Sequence, residues 1–101
     1  MKKLIRDNIS EIALKEGRIL DTYIEHEDQP YFDLLKSKLI EESHEVFHAA
    51  KREDLIEEIA DVLTVIGELV RQLNCEDEVF QVAEIKIKEK GGFSKRIVLT
   101  K

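Results

Sequence analysis

Two apolar seams constrain this chain more than any other feature. Positions 32, 35, 39, 42, 46 and 49 are spaced by alternating steps of three and four, as are 55, 59, 62, 66, 69 and 73. That rhythm places residues on one face of an α-helix and predicts two long amphipathic helices, over about 29–50 and 54–73. The polar stretch Lys51-Arg52-Glu53-Asp54 joins them, and so short a link predicts an antiparallel pair. The first seam holds Phe32, Leu35, Leu39, Val46 and Ala49, interrupted by one acid, Glu42. The second holds Leu55, Ile59, Val62, Ile66, Leu69 and Leu73, with Asp61 the only charge in the run 59–67.

The rest of the chain is short. Ile5, Ile9, Ile12 and Ala13 followed by Gly17 predict a helix over about 4–16. Asp28, with Pro30 just after it, is the expected N-cap of the second helix. Asn74 ends the third helix, and a fourth is expected over 76–90, stopped by Gly91-Gly92. The β-prone runs at 19–24 and 96–100 are candidates for a two-stranded hairpin. The expected fold is therefore mainly α, a bundle of about four helices. With 101 residues, the whole of 1–101 reads as a single domain.

Charge divides the chain into a net +1 over residues 1–24, −11 over 25–83 and +4 over 84–101. An acidic chain of this size is a poor binder of nucleic-acid polymers. No apolar run is long enough to span a membrane, the first residues do not read as a signal peptide, and the single cysteine, Cys75, leaves no internal disulfide or Cys-based zinc site. These features predict a small cytoplasmic protein.

The misplaced acids carry the chemistry. Glu42 and Glu45 lie three apart on the second helix, Glu58 and Asp61 three apart on the third, and twelve residues separate the two pairs. Residues three apart share a helix face, so an antiparallel hairpin can turn the pairs toward each other. Converging carboxylates repel, and a buried one is costly unless paired with a cation. A hard divalent ion such as Mg²⁺ or Mn²⁺ resolves the conflict. Glu-x-x-Glu spacing is common on solvated helix faces, so the argument rests on Glu42 in its seam and Asp61 in its apolar run. Two further spacings, Glu41-x-x-His44 and Glu45-x-x-His48, match the helical di-iron pattern. The third helix supplies no second copy of it, so His44 and His48 read first as surface or packing residues.

Glu41-Glu42-Ser43-His44-Glu45, followed after twelve residues by Glu58-Ile59-Ala60-Asp61, resembles the signature of the all-α nucleoside triphosphate pyrophosphatases, the MazG-like superfamily. Lys3-Leu4-Ile5-Arg6-Asp7-Asn8-Ile9 and Lys90-Gly91-Gly92-Phe93-Ser94-Lys95-Arg96-Ile97 are similar to the end motifs of its small phosphoribosyl-ATP-pyrophosphohydrolase-like members, although those usually carry Lys where this chain has Asn8. The resemblance implies a helical fold that forms a homodimer or homotetramer. It implies Mg²⁺-dependent hydrolysis of a nucleoside triphosphate to a monophosphate and pyrophosphate. By position it implies Glu42, Glu45, Glu58 and Asp61 as metal ligands, with Glu41 as water-activating base or second-metal ligand. It implies Lys38, Lys86, Lys90, Arg6 and Lys95 as phosphate contacts. Two other readings compete with it: a non-enzymatic helical interaction module, and a di-iron carboxylate bundle. The aromatics Tyr23, Tyr31, Phe47 and Phe93 are candidates for stacking on a base, but aromatics at such spacing more often belong to the core.

Overall fold

The computed structural model describes residues 2–101 and contains four helices: α1 (Ile9–Lys15), α2 (Asp28–His48), α3 (Arg52–Leu73) and α4 (Glu76–Lys90). The centre of the molecule is the α2–α3 hairpin. A three-residue link, 49–51, reverses the chain. Tyr31 consequently meets Glu68, and Glu42 meets Glu58 and Asp61, pairs whose numbers rise on one helix as they fall on the other. The α2 seam faces inward along its whole length. Leu35 and Glu42 are buried, and Phe32, Leu39, Val46 and Ala49 are half-buried. Across from it, Val65 is buried and Leu55, Val62 and Leu69 are half-buried. Ile59, Ile66 and Leu73, expected in the same seam, stay on the surface of the chain.

The helix ends follow local chemistry. Gly17 takes φ +81, and the amides of Gly17 and Arg18 donate to the carbonyls of Leu14 and Ala13, closing α1 with the paired bonds of a Schellman motif. Asn74, in the left-handed region, closes α3 in the same way: its amide and that of Cys75 donate to Arg71 and Val70. Asp28 is the first residue of α2 rather than its cap. Glu27 precedes the helix in extended backbone, and Asp28 places its charge in the first turn, where the helix dipole favours it. Pro30 still falls among the first four residues, whose amides have no intrahelical partner.

Two further expectations are corrected. The first helix does not begin at residue 4, because residues 2–8 run in irregular backbone across the hairpin, held by ion pairs from Lys3 to Glu41 and from Arg6 to Asp61. A helix this short has little stability of its own, so those long-range pairs decide where it starts. The proposed hairpin between 19–24 and 96–100 is absent, and no strand occurs among the described residues. β-Propensity is realised only against a neighbouring strand and a packed face. Ile19, Ile97 and Leu99 have neither and are each more than four-fifths exposed. Phe47 and Phe93 likewise stand outside the core, at 82% and 97% exposed.

The described chain is extended, with a radius of gyration of 17.4 Å, against about 13 Å for a compact domain of this length. Every residue from Glu76 onward is exposed, including Val79, Phe80, Val82, Ile85 and Ile87 of α4.

Candidate metal and nucleotide site

The acids that looked misplaced in sequence converge in space. Glu42 on α2 and Glu58 and Asp61 on α3 each offer a carboxylate oxygen, and the three oxygens lie within 4.8 Å of one another. The geometry follows from the hairpin. Glu42 occupies a seam position, so it points at α3, and the i, i+3 pair Glu58 and Asp61 receives it. Glu45, one turn further along α2, is exposed and outside this trio, yet its charge is felt there. The Glu58 carboxyl is pushed up, first by desolvation and then by repulsion from Asp61, Glu42, Glu45 and Glu57. An all-carboxylate set of this kind suits a hard cation such as Mg²⁺ or Mn²⁺, and a divalent charge would relieve the repulsion that Glu58 registers. No imidazole belongs to the trio. His44 and His48 pack against each other on the exposed side of α2, with ring centroids 5.3 Å apart.

Cations surround the acids on the α2 side and from the N-terminal segment. Lys38 Nζ lies 3.4 Å from both Glu41 and Glu42 and is largely sheltered. Lys3 Nζ approaches Glu41 at 3.6 Å, so Glu41 is bracketed by two ammonium groups. The Arg6 guanidinium donates to Asp61 Oδ1. The structure therefore brings Arg6 and Lys38 to the acids. It does not bring Lys86, Lys90 or Lys95 there: all three are on or after α4, fully in the solvent-exposed part of the chain.

A groove of about 660 Å³ opens beside the acids, between the N-terminal segment and the α2–α3 hairpin. Its size is that of a small-molecule site. Arg6, Lys38, Glu42 and Asp61 line one end; the buried side chains of Leu35 and Val65 contribute apolar wall. The groove also reaches a polar cluster that sequence reasoning missed. Tyr31 donates its hydroxyl to Glu68 Oε1 at 2.9 Å. Arg71 lies side-on against Glu68, with Nε on Oε2 and Nη2 on Oε1, and Gln72 adds a further bond to Oε1. Hydrogen bonding from Arg71 outweighs the cost of burial, so the Glu68 carboxyl is held well below the usual range, at about 2, with Gln72 and Tyr31 helping. Burial first, then the bond to Glu68 and its charge, push the Tyr31 hydroxyl up to about 12. One signal in the sequence pointed here: Glu68 follows Asp61 by seven residues, two helical turns on the same face. Lys3 carried no such signal, since its pairing with Glu41 is purely tertiary.

No helix among the described residues is long and apolar enough to cross a membrane. No curated protein and no solved structure matches this chain. The model of the MazG nucleotide pyrophosphohydrolase domain does match, over residues 31–92, from the first turn of α2 through the acidic trio to the glycines that end α4. That match covers more than half of the 101 residues and both acid-bearing helices, and on this ground the chain belongs to the MazG nucleotide pyrophosphohydrolase family.

Proposed function

We propose that this chain is a single MazG-like domain that hydrolyses nucleoside triphosphates between the α and β phosphates, releasing a monophosphate and pyrophosphate in the presence of Mg²⁺ or Mn²⁺, with damaged or noncanonical nucleotides among its candidate substrates. The observation that carries the reading is the trio Glu42, Glu58 and Asp61, converging from two rigid helices within 4.8 Å beside a groove of ligand size. With Glu45 one turn away, these residues would hold the metal. A divalent cation bound there would neutralise phosphate charge and acidify water.

The remaining work falls to side chains. Water adds its oxygen to one phosphorus of the α–β bridge, the bond from that phosphorus to the bridging oxygen breaks, and the other product departs with that oxygen. Glu41, next to Glu42 in the chain, would take the proton lost by the water. Its two lysine partners orient it, and both can turn to phosphate oxygens when a nucleotide enters. Lys38 and Arg6 then offset charge on the bound phosphates, an electrostatic contribution that phosphoryl transfer chiefly requires. Lys86, Lys90 and Lys95 lie away from the groove in a single chain. They reach a phosphate only through an assembly of several copies. The exposed apolar residues of α3 and α4 support such an assembly, and we read the protein as a homodimer or homotetramer.

The test is pyrophosphate release from a panel of nucleoside triphosphates, with and without Mg²⁺ or Mn²⁺. Metal-dependent release, lost in Glu42→Ala and Asp61→Ala, is the expected outcome. A folded protein that releases none from any substrate would sink the reading and leave the interaction module as the better account.

A further inference from the structure

The groove extends well past the acids, and its far end has a chemistry that the hydrolytic step does not use. From Asp61 to Glu68 the α3 backbone rises roughly 10 Å, about the distance from the first phosphate of a nucleotide to the far edge of its base. Between them the groove is walled by Leu35 and Val65, suited to the faces of a flat ring. Resting on the reading of this site as a nucleotide pyrophosphohydrolase, we propose that the Arg71 end of the groove is the base subsite and that it selects 6-oxopurine nucleotides, those of inosine, xanthosine and guanosine, over 6-aminopurine ones.

The argument lies in the hydrogen bonds already made. Arg71 spends Nε and one Nη2 hydrogen on Glu68, and Nη1 has no partner among the described residues. The side-on pair fixes the plane of the guanidinium, leaving the Nη1–Nη2 edge as a preset fork of two donors. A 6-oxopurine presents O6 and N7, two adjacent acceptors with the matching spacing, and arginine reads that pair better than any other side chain. Adenine places an amino donor where O6 would be, so two donors face each other and one is left unpaired. Asp7 also lines the groove, and its carboxylate is an acceptor for the N1–H that 6-oxopurines carry and adenine lacks. Glu68 in this scheme is a positioning residue: it aims Arg71, and Tyr31 and Gln72 aim it.

The experiment compares kcat/KM for inosine, xanthosine and guanosine triphosphates with that for ATP, with saturating Mg²⁺, in the wild type and in Arg71→Gln, Arg71→Lys and Glu68→Gln. One bidentate pair predicts a preference of roughly 5- to 150-fold for the 6-oxopurines in the wild type. The ratio should fall toward one in Arg71→Gln, chiefly through KM. It should not be restored by Arg71→Lys, which keeps the charge and loses the fork, and it should fall part of the way in Glu68→Gln. If Arg71 only braced the helices, the ratio would stand while stability dropped, and the assignment would be wrong. A second measure needs no variant: IMP should inhibit the wild type at lower concentration than AMP, and equal inhibition contradicts the proposal. Pyrophosphate release from all purines without a 6-oxo preference overturns the base assignment alone, whereas no release from any nucleotide overturns the reading of the site and this assignment with it.

Discussion

The α2–α3 hairpin and the α4 arm draw on the same kinds of residue and reach different states. Val65 of α3 is 8% exposed; Phe80 of α4, a larger apolar side chain, is 68% exposed. Both segments are helical for good local reasons, since each has acids in its first turn, bases in its last and a defined stop. Periodicity therefore makes a helix in both places, but only the short link at 49–51 gives α2 and α3 each other as partners. Where two faces meet, a carboxylate such as Glu42 can be held in the interface and a groove can form. Where a face has no partner within the chain, as in α4, neither happens. The comparison puts the converging acids and the groove in the hairpin and leaves α4 with its apolar face uncovered within the chain.

The largest effect expected from breaking this contrast is at the acidic trio. Asp61→Ala and Glu42→Ala should each lower metal-dependent pyrophosphate release by about 100-fold or more, since disturbing even the outer partners of metal ligands costs about 10- to 100-fold. Isothermal titration with Mn²⁺ reads the same loss without any turnover. Glu84→Ala, an acid removed from the exposed arm, should change neither.

Core truncation comes next. Leu35 is 4% exposed, so Leu35→Ala should lower the unfolding free energy by about 2–3 kcal/mol in a urea titration, through lost transfer energy and an incompletely filled cavity. In α4, Val82 is 53% exposed. Val82→Ala in dilute, monomeric protein should stay within about 0.5 kcal/mol of wild type. Equal losses at both sites would mean that α4 is packed within one chain after all.

The assembly itself is the third lever. Phe80→Asp puts a charge on the apolar face of α4 and should weaken self-association by roughly 10- to 100-fold, the scale of one buried aromatic side chain. Sedimentation velocity across a dilution series measures this directly. A wild-type protein that remains monomeric at high concentration would refute the oligomer and leave Lys86 and Lys90 without a route to the phosphates.

How much of this was legible beforehand depended on the range of the interaction that decides each feature. The four helices were, because the 3-4 spacing, Gly17, Asn74 and Gly91 are local signals. The approach of Glu42 to Glu58 and Asp61 was also legible, since one short link and two i, i+3 pairs determine it. The start of α1 was not. Leu4 and Ile5 fit a helical pattern, but Lys3 and Arg6 hold that stretch in irregular backbone by reaching residues 38 and 55 positions away. The strand expectation failed for the same reason in reverse: 19–24 and 96–100 have the right residues and no third element to pack on. The Asp61-to-Glu68 spacing puts Glu68 on the acid-bearing face of α3, but the meeting of Tyr31 with Glu68 in the Tyr31–Glu68–Arg71 cluster depends on the relative register of α2 and α3 near the open end of the hairpin, which no spacing within either helix reveals.

That cluster gives the smallest predicted effect and the one most specific to the hairpin. Glu68 has a folded pKa of about 2 against an ordinary 4.5, so its contribution to stability is complete above about pH 4.5 and is lost as pH falls toward 2. Tyr31 is raised to about 12 from 10.0, so the fold loses stability as pH climbs from 10 to 12, where only the unfolded chain has given up the phenolic proton. Glu58 works against the acid limb. Its raised carboxyl favours the fold at low pH and costs stability once it ionises, so part of the Glu68 loss is offset. Glu68 is about a quarter exposed, and solvent screening reduces its share to about 1 kcal/mol. Glu68→Gln should therefore flatten the decline between pH 4.5 and 2 by about that amount, and Tyr31→Phe should remove the alkaline decline. Thermal melts across pH 2–12 resolve both limbs. If Glu68→Gln leaves the acid limb unchanged, the Tyr31–Glu68–Arg71 bonds do not tie α2 to α3 in solution, and the contrast between a braced hairpin and a free arm would rest on the apolar seam alone.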